Sequence, residues 1–293
     1  MPLNYSIKHI LAVLIFCLMA LKKLIPATFC LLLPALIAQA QQIKKQPLNL
    51  FVQWGYNRSH YLTSDIKLTG SNYNFTLYDV SATDDPSAFE ADVYFNPAKL
   101  TIPQFNFRVG VLVNKWAYSI GWDHLKYRIR QGQTVKITGY ISPEASDVYA
   151  GNYHVNDMVL YDDFLKMEHT DGLNFIHFNA DRFFTVFQNP SGNIKAQLYA
   201  GIGTGAVTPW TDTRLFNTFY RNPSIHFAGW GFCAQAAPRL TFLNVVYIEC
   251  ALSVGYMYLW DILIERHKQN AQQQIVYSQR NFSLGFTLPL SKQ

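Results

Sequence analysis

Two histidines lie beside hydroxyl or carboxylate side chains at the borders of long polar segments. His60 is followed by Ser64 and Asp65, and His169 is followed by Asp171. A histidine within reach of a hydroxyl can act as its general base, and a carboxylate can orient the histidine, so these residues are candidates for acyl transfer. Segments rich in serine, aspartate and histidine also occur without catalysis. The sequence therefore leaves a catalytic and a purely structural interpretation open.

Charged residues inside otherwise apolar, alternating stretches form a second group. They share a side of their stretch with small or polar residues and are Arg108, Asp123, Asp181, Lys195 and Glu249. If that side faces an enclosed interior, the charges must pair with one another, because an isolated buried charge is very unfavourable. We predict an interior charge network, with a proton or ion path as the alternative.

The chain shows no spacing typical of a metal or cofactor site. Acidic residues concentrate in two long segments, but without the spacing of an EF-hand loop. The alternating glycines of 201–205 lack the Gly-Lys-Ser/Thr of a phosphate-binding loop, so we predict that they line one face of a strand. The net charge of +5 is spread without a run of four basic residues. We expect no metal, no cofactor and no nucleic-acid partner.

The elements that must position these residues show a period of two. Between Val246 and Tyr258 every second residue is apolar or aromatic, whereas the intervening residues, such as Glu249 and Ser253, are small or polar. This alternation predicts a strand with one apolar face. The same pattern recurs seven times, over 48–56, 105–113, 116–123, 173–187, 194–202, 225–237 and 282–290.

The connections between these eight predicted strands alternate in length. Short ones are predicted at 114–115, 188–193 and 238–244, and long ones at 58–99, 129–168, 209–224 and 260–272. An even number of strands, apolar outside and polar inside, with tight turns at one end, predicts an all-β antiparallel transmembrane β-barrel, since only closure satisfies every backbone group in lipid. The alternative is a secreted lipocalin-like barrel or a β-sandwich with its apolar side inward.

The first forty residues have the composition of an export signal. They contain no Asp or Glu, and Lys22 and Lys23 precede an apolar run over 24–36 that is followed by Ala38-Gln39-Ala40. This order matches a cleaved signal peptide, with translation starting at Met1 or Met19. We predict a signal peptide over 1–40 and a barrel domain over 41–293.

Two cysteines remain after the predicted cleavage. Cys250 falls on the apolar side of its strand, whereas Cys233 shares its side with Gly229 and Gln235. Directly opposed residues in a hairpin share a face, so this difference predicts two free thiols.

The last predicted strand, over 281–290, is rich in aromatic and apolar residues. With the signal peptide, the eight alternating stretches and the unequal loops, it resembles the small eight-stranded outer-membrane barrels of Gram-negative bacteria, the group of the OmpA barrel, OmpX and PagP. Phe286 is followed by seven residues here, whereas members of that group usually end on phenylalanine. The resemblance implies a monomer in the outer membrane, in contact with its lipid and lipopolysaccharide, with both termini periplasmic.

Three functions follow from this resemblance. The preferred one is a structural, adhesive or ligand-binding role of the long extracellular loops, without enzymatic activity. The alternative is a lipid A acyltransferase or deacylase with His60 or His169 as its base, since PagP-like enzymes use His, Ser and Asp at the extracellular rim. The third is a small passive transporter, which requires an open lumen.

Overall fold

The computed structural model describes residues 48–88, 90–96, 98–99, 102–222, 226–265 and 268–290. The predicted signal peptide lies outside these residues. The described chain is almost entirely β-structure with one short helix. The elements are β1 (Leu48–Tyr61), β2 (Ser64–Gly70), β3 (Tyr73–Val80), β4 (Ala82–Thr83), α1 (Ala91–Tyr94), β5 (Phe105–Val113), β6 (Trp116–Ile129), β7 (Thr134–Ile141), β8 (Gly151–Val159), β9 (Leu165–Gln188), β10 (Ile194–Pro209), β11 (Thr211–Leu215), β12 (Thr218–Asn222), β13 (Gly229–Phe242), β14 (Val246–Glu265) and β15 (Gln269–Pro289).

Eight of these strands close into a barrel. Their order is β1-β5-β6-β9-β10-β13-β14-β15, and β15 pairs again with β1. Following directly opposed residues once around, from Leu284 through Trp54 and on to Tyr258, leads back to β15 at Gln274, ten residues away. A stagger of this size tilts the strands by roughly 40° and leaves an interior that side chains can fill. The predicted fold class is confirmed.

The outer surface of the barrel carries an apolar belt. Its exposed members alternate along every barrel strand and include Val52, Ile120, Phe178, Ile202, Phe232, Leu252, Val254, Phe282 and Leu284. The opposite faces of the same strands carry buried polar residues such as Asn106, Ser119 and Gln279. The predicted inside and outside faces are thus confirmed, and the lipocalin-like and sandwich alternatives are wrong. An apolar outside with a polar inside is the surface of a barrel that crosses a membrane.

The hairpin between β13 and β14 is tighter than the predicted connection over 238–244. β13 continues to Phe242, which lies opposite Val246, and Leu243 and Asn244 make the turn with φ of 53° and 59°. Cys233 therefore lies opposite Gly255 rather than Cys250. Both cysteines are free, Cys233 buried and Cys250 exposed, as predicted.

The long segments at the other end of the barrel are folded rather than irregular. The upper end of β15 continues into a sheet of order β15-β2-β3-β7-β8, and the upper end of β9 pairs with β11, which pairs with β12. We call the strands β2, β3, β7, β8, β11 and β12, together with residues 165–171 of β9, the head. The connections over 58–99, 129–168 and 209–224 are long, as predicted, but each contains strands. The predicted long connection over 260–272 was wrong, because β14 continues to Glu265 and β15 begins at Gln269.

An apolar core fills the head and continues down to the mouth of the barrel. Its buried members include Ile66, Leu68, Phe75, Leu77, Ile137, Phe164, Leu165 and Met167, and towards the barrel Leu125, Phe175, Met257 and Tyr277. Burial of this continuous core fixes the head on the barrel. Among the described residues, no helix is long and apolar enough to cross a membrane.

Candidate functional site

The end of the barrel with the short turns holds a buried ion pair surrounded by aromatic rings. Arg239 donates from Nε to Oε2 of Glu249 at 2.9 Å, and Glu249 also accepts hydrogen bonds from Gln53 and Tyr199. The Arg239 guanidinium lies 3.9–5.8 Å from the ring centroids of Tyr247, Phe183, Tyr199 and Phe51. Cation–π attraction and the charge-assisted hydrogen bond together hold Arg239 in place.

A second layer of charges lies directly above this pair. Nη1 of Arg108 is 4.0 Å from Oδ2 of Asp181, which also accepts a hydrogen bond from Gln235. Nε2 of His177 is 3.4 Å from Oδ2 of Asp123. All five of these side chains are buried. Four of the predicted interior charges, Arg108, Asp123, Asp181 and Glu249, are thus brought together inside the barrel.

Lys195 does not belong to this group. It is partly exposed beside the turn between β9 and β10, two residues after Asn193, and forms no ion pair in the part of the chain described here. Its place is taken by Arg239, which the sequence interpretation had put in a turn. Arg239 lies two residues from Ala237 and Thr241, both buried, and this alternation was the signal that could have identified it.

Three glycines of β10 make room for this network. Gly201, Gly203 and Gly205 alternate on the inner face, as predicted. A Cβ atom at Gly203 would collide with Oδ1 of Asn179, and one at Gly201 with Oδ1 of Asp181. The glycines thus leave space for polar side chains of the neighbouring strand β9.

The barrel interior is filled along its length. Three layers fill it in order from the end with the short turns. The first is the aromatic layer around Arg239, the second is the polar layer around Arg108, and the third consists of the apolar residues below the head. An eight-stranded barrel is only wide enough for such side chains. This packing argues against the passive transporter.

Two of the five catalytic candidates, Ser64 and His169, lie close together in the head. Their contacts are hydrogen bonds and ring packing with other buried side chains. Oγ of Ser64 accepts a hydrogen bond from Gln273 at 2.8 Å and lies 3.3 Å from the Tyr127 hydroxyl. The His169 ring packs on Tyr127 at 5.6 Å between centroids, and its Nδ1 contacts Oγ1 of Thr211 at 2.9 Å. Ser64 and His169 are thus linked through other buried residues, and no carboxylate of the described residues is hydrogen-bonded to either side chain.

The other three candidates are separated from that cluster. His60 is exposed on the outer face of β1, opposite Ser278 of β15. Asp65 accepts a hydrogen bond from the backbone of Asp79, and Asp171 pairs with Arg221 at 2.9 Å on the surface. The structure therefore does not assemble a histidine, a hydroxyl and a carboxylate from these five residues.

His169 makes the stability of the head depend on pH. Burial lowers the pKa of His169 to about 4, whereas an unfolded histidine has a pKa of about 6.5. As the pH falls, His169 is therefore protonated in the unfolded chain before it is protonated in the folded protein. The free energy of unfolding of the head keeps its full value above about pH 6.5 and decreases as the pH falls towards 4. We expect a loss of about 2 kcal/mol at pH 5, measured by amide hydrogen exchange of residues 165–171. His169→Gln should flatten this dependence between pH 6.5 and 5, and an equally steep profile in that variant would contradict the assignment.

Known structures of similar fold are outer-membrane barrels. NspA, a Neisserial surface protein, aligns over 80% of this chain and 95% of its own at 8% identity, with a TM-score of 0.25. Ail, the attachment invasion locus protein of Yersinia pestis, aligns over 84% and 100% at 8% identity and 0.29. The outer-membrane protease OmpT of Escherichia coli aligns over 84% and 98% at 7% identity and 0.31.

No family model and no curated protein sequence matches the chain. The assignment of the fold therefore rests on the closed strand order and the apolar belt described above. The protein has the architecture of a small outer-membrane β-barrel.

Proposed function

We propose that this protein is an outer-membrane barrel whose folded head binds an extended segment of an extracellular partner. The observation that carries the proposal is the open edge of the head sheet. β8 (Gly151–Val159) pairs with β7 and, within the described residues, with no other strand. An exposed edge offers unpaired backbone groups to which a partner strand can add.

The edge has features of a binding surface. Most side chains of β8 are exposed, and Val155 is 60% exposed. Val155 also has a φ of 62° at a register shift opposite Ile137 and Thr138. A β-branched residue in the left-handed region is strained, and such strain concentrates at functional positions. The core of the head holds this edge in place, so little order has to be gained on binding.

Library selection can test the proposal. The protein is inserted into lipid nanodiscs and used to select from a displayed library of random heptapeptides. We expect enriched peptides with alternating apolar residues that protect the β8 amides from hydrogen exchange. Val155→Lys should weaken binding by about tenfold or more, because lysine on an edge strand disfavours pairing.

The matched control is Asn74→Lys, an exposed position in the central strand β3. It adds the same type of charge without touching the edge and should leave binding unchanged. Protection outside β8, or equal losses in both variants, would contradict edge binding. Heat-dependent gel migration and outer-membrane fractionation of the same variants test the barrel and its location separately.

A further inference from the structure

The outer wall of the barrel carries an apolar groove at the strands β15, β1 and β5. The groove has a volume of about 680 Å³ and is lined on the wall by Val52, Trp54, Phe107, Phe282, Leu284 and Phe286. Its upper lip is formed by Tyr94 and Phe95. The hydroxyl of Tyr56 donates to the backbone oxygen of Tyr94, and their rings pack edge-to-face at 4.9 Å, so the end of α1 is fixed on the wall.

Two arginines lie side by side at the upper end of this groove. Arg58 of β1 and Arg280 of β15 are directly opposed and have the outward parity of Tyr56 and Phe282, which form the next outward pair towards the turns. Nη2 of Arg58 donates to the Tyr94 hydroxyl at 3.1 Å, which holds this guanidinium at the lip. Like charges directly opposed across a ladder repel each other, so an anion between or above the two side chains would stabilise the pair.

Among the described residues, no anion pairs with Arg280. It is exposed and lies opposite Leu252 on its other side, and its side chain forms no hydrogen bond or ion pair with any of the described residues. The acidic group near Arg58 is Asp84, which accepts hydrogen bonds from Gln104 and from the backbone of Ser59. One carboxylate beside two guanidiniums leaves the patch positive. His60 and Ser278, the next outward pair, add further donors beside it.

We propose that this groove binds a lipid with a phosphate in its headgroup. The acyl chain lies on the apolar wall, and the phosphate oxygens accept hydrogen bonds from Arg58 and Arg280. From Arg280 to Phe286 β15 advances by six residues, or about 20 Å, so a chain that starts at the arginines points towards the bilayer centre. Guanidinium groups are suited to phosphate because they donate in pairs. The inference rests on the membrane location stated under the proposed function.

Native mass spectrometry of the refolded protein in non-ionic detergent tests this site. The probes are phosphatidylglycerol, phosphatidylcholine with the same acyl chains, and inorganic phosphate. We expect the protein to retain phosphatidylglycerol in preference to phosphatidylcholine and not to retain inorganic phosphate, because the groove contributes to binding. Arg58→Gln with Arg280→Gln should lower phosphatidylglycerol retention by about tenfold or more.

The matched control is Arg182→Gln, an exposed arginine of β9 that lies over Trp116 and Phe184. It should retain lipid like the unchanged protein. If the double variant fails to fold, as judged by heat-dependent gel migration, the single variant Arg280→Gln carries the test, since Arg280 has no described protein partner. Equal retention of both lipids by the unchanged protein, or equal losses in the Arg182 and Arg280 variants, would overturn the site. Failure of the unchanged chain to insert into outer membranes would instead overturn the proposed function.

Discussion

Replacing Glu249 by leucine should destabilise the folded barrel by about 3–5 kcal/mol. Glu249 is buried and accepts four hydrogen-bonding or ionic contacts, two of them from Arg239. Without the carboxylate, the Arg239 guanidinium stays in the interior without its counterion, and the donors of Gln53 and Tyr199 lose their acceptor. Urea unfolding of the protein in lipid vesicles, followed by heat-dependent gel migration, measures the effect.

A double-mutant cycle separates this pair from its surroundings. Arg239→Met should cost a similar amount, because it leaves Glu249 unpaired, whereas the double variant should cost much less than the sum of the two single variants. Glu265→Leu is the matched control, because Glu265, the last residue of β14, pairs with Lys268 on the surface at 2.7 Å. Such pairs contribute about 0–1 kcal/mol. Additive losses in the Arg239 and Glu249 variants would contradict a specific buried pair.

The sequence was most informative where one face of a strand meets lipid. In β6 and β14 large apolar residues alternate with small or polar ones, because the environment changes at every residue, and this periodicity predicted both the strands and their orientation. The head strands were missed although Ile66 and Leu68, or Phe75 and Leu77, alternate in the same way. Runs this short stay ambiguous in sequence, because the pairing that stabilises them comes from β15 and β7, far along the chain.

The predicted end of β13 was wrong because of a proline and an asparagine in the sequence. Pro238 and Asn244 indicated one long turn, but Pro238 lies within the strand, where the pairing with β14 is interrupted between Ala236 and Arg239. A proline lacks the backbone N–H that this ladder uses, but Pro238 keeps its place opposite Leu198 in the ladder with β10. Because Arg239 was assigned to the predicted turn, it was not counted among the interior charges, although it lies at the centre of the interior network.

The cluster around His169 shows another limit of sequence interpretation. Ser64, Tyr127 and Gln273 meet because β2, β6 and β15 converge at the base of the head. A histidine followed by an aspartate suggested a surface site, yet His169 is buried and Asp171 is exposed although they lie two residues apart. Regular alternation would put both on one face, but the pairing of β9 with β6 shifts register between Leu173 and His169. The residue types indicated a possible chemistry. Which of these residues are in contact depends on how the strands pair and on which side chains are buried.

Arg108→Met should also destabilise the barrel by about 3–5 kcal/mol, because Arg108 is the cation shared by the upper charges of the interior. Its guanidinium is 4.0 Å from Asp181, whose other described polar contact is the amide of Gln235. Methionine fills part of the same space but removes the charge, so the buried Asp181 loses its ion-pair partner. The free energy of unfolding in urea, measured in lipid vesicles, tests this expectation.

Two substitutions on the lipid-facing wall serve as controls for Arg108→Met. Arg182→Met removes an exposed arginine that lies 5.3 Å from the Trp116 ring, and Trp54→Leu removes a ring stacked on Phe105 at 4.5 Å. Each should cost only about 1 kcal/mol, because neither change leaves a charge buried. If the three variants unfold at the same urea concentration, Arg108 is not held in a closed interior. The inner face of β5 would then have to be accessible to water, since only hydration could compensate for the lost cation.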